Sequence, residues 1–455
     1  MSETKKEGFG SKLGFIMAAA GSAVGLGNIW RFPYLAAKYG GGIFLLIYLI
    51  LACTFGFALM TTEIAIGRKT GRSVIGAYKH LDKRFGFLGP IAAVVPFIIT
   101  PYYCVIGGWV IKYLFAFVIG DNGNAAANDA YFSDFISGID SQTIFFIIFV
   151  ALTVVVVLLG VQKGIETISK ILMPVLLVLI IGIAIYTMTM PGAMEGVKYY
   201  FVPDFDSVTI GTILTATVAA MGQMFYSMSL SMGITVTYGS YMRREDSIES
   251  SVRQIEIFDT GVAFLAGLII VPAVFVFSGG DAAALNAGPG LMFVTLPKVF
   301  ETMKAGRIIG IAFFLLVTLA ALTSSIALLE TMVSIVMEKF NKSRVFSTIV
   351  CLAVVVVIGM TSVFGYSIWS DFTIIGYQML DFYDFISNNV LMPIVAFLTC
   401  VLIGYVVKTK MVEDEVAVNA ANKPFGAKGL YRTMILVVCP VFMIVILLTP
   451  FLFSI

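Results

Sequence analysis

Residues 13–38, LGFIMAAAGSAVGLGNIWRFPYLAAK, form an apolar stretch long enough to cross a bilayer, yet Gly21, Gly25 and Gly27 interrupt its middle and Asn28, Arg31 and Pro33 close it. Glycine is a poor helix former, so this span is expected to open inside the membrane and leave backbone N–H and C=O groups without helical partners. In hydrocarbon each such group costs several kcal/mol unless a cavity, an ion or a ligand satisfies it. A break this deep therefore argues for a binding site at the middle of the membrane, and so for transport.

Composition points to the same class. Hydrophobic residues make up 59% of the 455-residue chain and charged residues only 12%, with a mean hydropathy of +0.98. These values exclude a water-soluble globular domain. The opening MSETKKEGFGSK is polar and runs straight into the first span without a small-residue cleavage site, so the first span is expected to remain in the mature protein. About eleven apolar runs reach membrane length: 13–38, 41–67, 88–119, 143–160, 167–190, 209–241, 255–278, 306–337, 345–365, 379–407 and 431–454. With the N-terminus on the cytoplasmic side, most of the 29 basic residues fall in cytoplasmic loops, Arg68, Lys69, Arg72, Lys79, Lys83 and Arg84 in one of them. The presumed outer loop 121–142 carries none, and the C-terminus is expected outside. Topology thus explains the basic residues and the net charge of +2, leaving no basis for nucleic-acid binding. The surrounding partner is membrane lipid; the oligomeric state is not legible.

Cys53, Cys104, Cys351, Cys400 and Cys439 all lie in apolar runs without CxxC spacing and read as small buried hydrophobes. The single histidine, His80, sits in a basic loop, which excludes a His-rich metal site. With no buried His or metal-ligand cluster for general-base chemistry, an enzyme is not expected. GLGN is no dinucleotide fingerprint, because no strand precedes it.

A second interruption, GQMFYSMSLSMG at 222–233, mixes Gly and Ser into the sixth run. Two broken spans thus stand first and sixth. If spans one to five and six to ten are repeats, an odd number of crossings per repeat inserts them upside down relative to each other. Paired breaks in inverted halves are a known sequence pointer to a midplane site in secondary transporters. The expected fold is all-α, with a cytoplasmic segment 1–12, five-helix repeats over 13–190 and 191–408, a cytoplasmic loop 409–430 and an eleventh helix over 431–455.

Three segments carry a specific resemblance: GSAVGLGNIWRFPYLAAKYGGGIFLLIY at 21–48, GQMFYSMSLSMG at 222–233 and ALTSSIALLE at 321–330. The chain resembles the neurotransmitter:sodium symporter family in its eleven-helix bacterial branch, from about Ser11 to near Lys408. The resemblance implies two sodium ions as co-substrates. The first would be held by the Ala23 carbonyl, Asn28, Ser227, Asp259 and the carboxylate of the substrate itself. Sodium is a hard cation that needs several oxygens, and a shared carboxylate in a low-dielectric interior couples the two ligands. The second would be held by the Gly21 and Val24 carbonyls together with the Ala320 carbonyl and the Thr323 and Ser324 hydroxyls. Those last three residues share a helical face at i, i+3 and i+4.

The implied substrate pocket lies between the two sites. Amides of Leu26 and Gly27, with the Tyr103 hydroxyl, would meet a carboxylate at a half-helix N-terminus. Carbonyls of Ala23, Tyr226 and Ser227 and the Ser229 hydroxyl would face an ammonium. Ser22, Ile99, Tyr226, Met232, Ser325 and Leu328 would line the side chain and offer it no full charge, which fits a neutral, hydrophobic or aromatic amino acid. Arg31 and Asp384 match the family's outer gate, with Asp381 as the alternative acid, and Lys6 and Glu338 match its inner ion pair. Phe9 stands where many members have Trp. Gly164 and Pro174 match a Gly-x9-Pro pattern linked in the family to unwinding of the fifth helix. Asp259, one turn before Ala263, supplies a fixed negative charge near the first sodium site, so transport is expected to be chloride-independent. A proton-coupled or exchange transporter of the same fold, or a transport-like sensor or channel, are the alternatives.

Overall fold

Ser11 starts the first span: its hydroxyl accepts the Gly14 N–H at 3.0 Å and caps the helix Lys12–Ala23. That helix ends at Val24, whose backbone is extended, and the chain turns helical again through Gly27–Arg31 and Phe32–Lys38. Pro33 sits in the first turn of the last piece, where its missing N–H costs nothing. The two halves, Lys12–Ala23 and Gly27–Lys38, meet at 54°. This computed structural model describes residues 8–120, 126–205, 209–279, 290–418 and 425–452.

The second break has a different local cause. Helix Ile210–Ser227 stops, Met228 to Gly233 run irregularly, and Ile234–Tyr241 continues. Ser229, Ser231 and Gly233 there have φ of 53°, 60° and 78°. Only glycine takes that region cheaply, so each serine costs about 1–2 kcal/mol of backbone strain that neighbouring contacts must offset. Those contacts come from other spans. The Ser229 hydroxyl donates to the Ser22 carbonyl at 2.8 Å. The Ser231 N–H donates to Glu63 Oε1 at 2.9 Å, and the Thr235 hydroxyl bonds the other oxygen of the same carboxylate.

Nine uninterrupted spans complete the bundle among the described residues: Gly42–Thr70, Lys83–Ile119, Ile139–Leu158, Val161–Met188, Ile248–Phe277, Gly306–Phe340, Arg344–Gly365, Met379–Val406 and Lys428–Thr449. With the bent first span they make ten by length and hydropathy, and the broken sixth, Ile210–Ser227 with Ile234–Tyr241, brings the number close to the eleven apolar runs read from the sequence. The seventh begins at Ile248 rather than 255, because Ser247 caps it by accepting the Ser250 N–H. Short connecting helices such as Val74–Leu81, Ala193–Phe201 and Lys410–Ala417 were not assigned from sequence.

Burial sorts the spans into centre and rim. The most apolar windows of the third and eighth are 78% and 72% buried, against 33%, 39% and 22% for the fifth, ninth and eleventh. The rim spans keep Ile171, Val178, Val357 and Val437 exposed, which in a spanning helix is the face that lipid covers. The broken first span packs at the centre against the fifth, seventh and eighth.

Candidate functional site

Asp259, on the seventh span, is fully buried. Its carboxylate accepts from Asn28 Nδ2 at 2.7 Å, from Ser227 Oγ at 2.8 and 3.0 Å, and from Tyr48 Oη at 3.4 Å. Asn28 Nδ2 also lies 2.8 Å from Ser227 Oγ, so residues from the first, sixth and seventh spans meet at one point. Both breaks make this possible: Asn28 lies just past the first and Ser227 just before the second. All the partners are neutral, and among the described residues no cation balances the acid. The Asn28 side-chain oxygen turns back to accept the Gly25 N–H at 3.0 Å. The Asp259 and Ser227 oxygens are hard ligands of the kind that suit sodium rather than a transition metal, while Asn28 presents its Nδ2 to them.

A second oxygen cluster joins the first and eighth spans. Ser324 Oγ lies 3.3, 3.1 and 3.2 Å from the carbonyls of Gly21, Ser22 and Val24. One hydroxyl proton cannot satisfy three carbonyls, whereas a cation can. Thr323 Oγ1 donates to the Ala320 carbonyl at 3.0 Å, which leaves its lone pairs available. Gly25 is required here, because a Cβ at that position would sit 2.7 Å from Ser324 Oγ and 2.8 Å from Tyr103 Oη.

Between the clusters lies a small cavity of about 20 Å³, lined by Ser22, Ala23, Gly25, Gly27, Ile99, Tyr103, Tyr226, Ser229, Met232, Ile234, Ser324 and Leu328. That is room for about one water, so an amino acid enters only when side chains such as Tyr226 and Met232 move aside. Nine of the expected pocket residues line it. Leu26 participates through its backbone, its N–H donating to Tyr103 Oη at 3.2 Å. Ser227 turns to Asp259 instead. Ser325 faces away, paired with Thr153 Oγ1 at 2.8 Å on the fourth span, so the structure does not place it in the lining. Ser324 and Ile234 take part where sequence reading had not put them.

The two ends are closed differently. At one, the Arg31 guanidinium lies 5.9 Å from the centre of the Tyr226 ring. Asp384 accepts from Tyr102 Oη at 3.1 Å and Asn388 Nδ2 at 2.6 Å, with no direct ion pair to Arg31. Asp381 instead accepts from Tyr366. At the other end, Lys6 lies outside the described residues, and Glu338 accepts the Ser73 N–H at 2.5 Å. Phe9 packs edge-on against Phe15 and Tyr238, both at 5.5 Å.

The same end holds residues that sequence reading missed. Glu166 accepts from the Gly10 N–H and the Ser11 hydroxyl, both at 2.7 Å, and from Lys170 Nζ at 2.6 Å. It thereby fastens the start of the first span to the fifth, at the wide turn Val161–Glu166 that contains Gly164. Beyond that turn the fifth helix is continuous, with Pro174 inside it. Glu330 pairs with Arg344 at 2.5 Å and accepts from Tyr241 Oη at 2.7 Å. A lone acid inside an apolar run, as in TTEIAIG around Glu63 or ALLETMV around Glu330, was the available signal.

Two breaks facing each other across a small buried cavity, with an oxygen cluster on either side, define a secondary transporter driven by a hard cation. The chain belongs to the sodium:neurotransmitter symporter family, whose profile matches residues 6–135 and 130–453. That is a family of sodium-coupled transporters rather than enzymes. The chain is 36% identical over 437 residues to the uncharacterized sodium-dependent transporter YhdH of Bacillus subtilis (strain 168), covering 95% of this chain and 94% of that protein. It is 33% identical over 419 residues to an uncharacterized sodium-dependent transporter of Haemophilus influenzae, covering 89% and 90%. The crystal structure of MhsT in complex with L-phenylalanine has the same fold, with a TM-score of 0.86 and 34% identity over 98% of this chain and 100% of that one.

Proposed function

We propose that the chain imports a neutral hydrophobic or aromatic amino acid together with two sodium ions by alternating access. The observation that carries this reading is Asp259: a fully buried carboxylate hydrogen-bonded only to neutral donors, beside a cavity lined by no charged residue. An isolated buried charge costs several kcal/mol, so the site favours a bound cation. The first ion would take Asp259, Ser227, Asn28 (its side-chain oxygen turned inward) and the Ala23 carbonyl, with the substrate carboxylate completing the set. The second would take Gly21, Val24, Ala320, Thr323 and Ser324.

The substrate carboxylate would displace the Leu26 to Tyr103 hydrogen bond and receive both donors, alongside the Gly27 amide. Its ammonium would face the carbonyls of Ala23, Tyr226 and Ser227 and the Ser229 hydroxyl. The L-phenylalanine bound by MhsT supports an aromatic side chain.

With the N-terminus in the cytoplasm and the C-terminus outside, as the loop charges suggest, Arg31 and Asp384 would form the outer gate. The second sodium tethers the first span to the eighth. Its loss, with release of the Glu166 contacts to Gly10 and Ser11, would free Lys12–Ala23 to swing and open the inner side.

Uptake of labelled phenylalanine into proteoliposomes under an inward sodium gradient is the test. Accumulation above equilibrium that collapses when choline replaces sodium is expected. Accumulation that persists in choline and follows a pH gradient would establish the proton-coupled alternative instead.

A further inference from the structure

The end of the bundle that carries Arg31 holds a polar atom that the contacts described above leave unused. Asn388, 9% exposed on the tenth span, donates its Nδ2 to Asp384 Oδ1 at 2.6 Å, while its own Oδ1 is buried without a hydrogen-bond partner among the described residues. A buried amide oxygen without a donor is costly, so one that persists calls for a donor that arrives in another conformation. The amide cannot relieve the cost by turning over, because its oxygen would then face the Asp384 carboxylate. Tyr102 does not relieve it either: its hydroxyl has one proton and gives it to the same Asp384 oxygen at 3.1 Å.

The backbone brings the two side chains together. Asp384 and Asn388 are four residues apart where the helix Met379–Phe385 passes into the wider turn Ile386–Leu391. Such wide turns inside helices are frequent at functional sites. Ser387 Oγ fastens this one, lying 2.7 and 3.1 Å from the carbonyls of Tyr383 and Asp384.

Both bonds to the Asp384 carboxylate fall on Oδ1, which leaves Oδ2 without a donor among the described residues. Two side chains already in contact thus keep one unused oxygen each. Arg31 presents the opposite need. It has five N–H donors and makes no hydrogen bond or ion pair among the described residues, its guanidinium lying 5.9 Å from the centre of the Tyr226 ring. Its charge is near enough to act on Asp384. Asp381, the alternative acid, is turned to Tyr366.

We propose that Asn388 is the second half of the outer latch, and that Arg31 closes onto a two-oxygen fork made by Asp384 Oδ2 and Asn388 Oδ1. The inference rests on the reading of Arg31 and Asp384 as the outer gate and adds to it a positioning residue. Asn388 acts twice: its Nδ2 holds the carboxylate by Oδ1, so that Oδ2 stays free, and its Oδ1 takes a second guanidinium N–H. A planar guanidinium with paired donors is best met by two acceptors side by side. The Tyr226 ring lines the substrate cavity, so a substrate that moves it aside takes away the seat of Arg31, and the fork receives the freed side chain. Filling the cavity and closing that end are in this way one event.

The test reads the width of that end directly. Full-length protein in nanodiscs, with the exposed Cys53 replaced by Ser, carries spin labels at Lys38→Cys and Gln378→Cys. Double electron–electron resonance gives the ratio of closed to open distances before and after addition of sodium with a mixture of the twenty amino acids. The protein with native Asn388 should shift to the shorter distance. Asn388→Ala should lower the closed-to-open ratio about tenfold, as expected for the loss of one hydrogen bond to a charged group. Asn388→Leu, which keeps the volume without a polar atom, should do the same, and an unchanged melting temperature certifies the fold. Arg31→Lys places a point charge that cannot use both oxygens, so adding Asn388→Ala in that background should change the ratio less than twofold. A residue that merely packs the helix would instead give effects that multiply. Multiplying effects, an unchanged ratio in both Asn388 variants, or native gate residues that never reach the shorter distance overturns the latch. The mixture makes the result independent of which amino acid is carried, so a failed phenylalanine uptake leaves this measurement standing.

Discussion

Replacing Asp259 by Asn removes one charge and almost no volume from the point where the first, sixth and seventh spans meet. Asn28 and Ser227 already hold the wild-type carboxylate at 2.7 and 2.8 Å, and an asparagine oxygen can accept one of those bonds, so the fold should survive. What is lost is the anionic ligand for sodium. A charged hydrogen-bonding partner in a buried site contributes about 1.5–3 kcal/mol, so sodium affinity should fall by about 10- to 150-fold. If the substrate carboxylate bridges to the same ion, substrate affinity at fixed subsaturating sodium must fall by a comparable factor, because coupling is reciprocal. The variant should also become chloride-dependent: a mobile anion near Tyr48, Gln223 and Ser227 would replace the fixed charge, with the Tyr48 and Ser227 hydroxyls that now bond Asp259 as its donors. Isothermal titration with phenylalanine across a sodium series, in chloride and in gluconate, measures both effects. Substrate affinity that stays unchanged and sodium-dependent in the variant refutes the first-site assignment. A wild type that loses uptake in gluconate refutes the role of Asp259 as built-in counter-charge.

Other substitutions probe the remaining elements. Thr323→Ala with Ser324→Ala removes two oxygens of the second cluster and should raise cytoplasmic accessibility of a cysteine placed on the inner half of the first span; unchanged accessibility with full transport would exclude that cluster as a sodium site. Gly25→Ala drives a methyl to within 3 Å of both Ser324 Oγ and Tyr103 Oη and should abolish uptake while leaving surface expression intact. Glu166→Gln weakens three hydrogen bonds to the inner end and should speed hydrogen exchange over residues 10–20, with Glu166→Asp intermediate; equal exchange in all three proteins would show that the contact does not hold that end. In the loop helix Lys410–Ala417, burial would raise the Glu413 carboxyl, but hydrogen bonds from Arg432 and Lys428 outweigh it and hold the group at about 2. Its folded value lies below the unfolded one of about 4.3, so the stabilisation is present above that value and is lost as pH falls toward 2. Exchange protection of this helix should drop over that window in the wild type and not in Glu413→Gln.

Much of the site was legible as local chemistry. Glycines at 21, 25 and 27 and the Gly/Ser run at 222–233 mark both breaks, because helix propensity acts over a few residues and needs no partner. The spacing of Ala320, Thr323 and Ser324 likewise follows from helical periodicity alone. Ser325 shows the limit of that logic: it is adjacent to two residues of the oxygen cluster, but a one-residue step on a helix turns it about 100° away, toward Thr153.

The chain by itself determined the class, the approximate number of spans, the position of the two interruptions and, through its motif resemblance, the residues that meet in the two oxygen clusters. Each of these is written in nearby residues. Only the tertiary structure decided which acids hold the breaks and the inner end. Glu63 reaches a serine 168 residues away and Glu166 an amide 156 residues away. Hydropathy and periodicity report whether a side chain must be buried. They carry no information on which of several polar groups, brought in by other spans, will satisfy it, because that partner is chosen by how the helices pack.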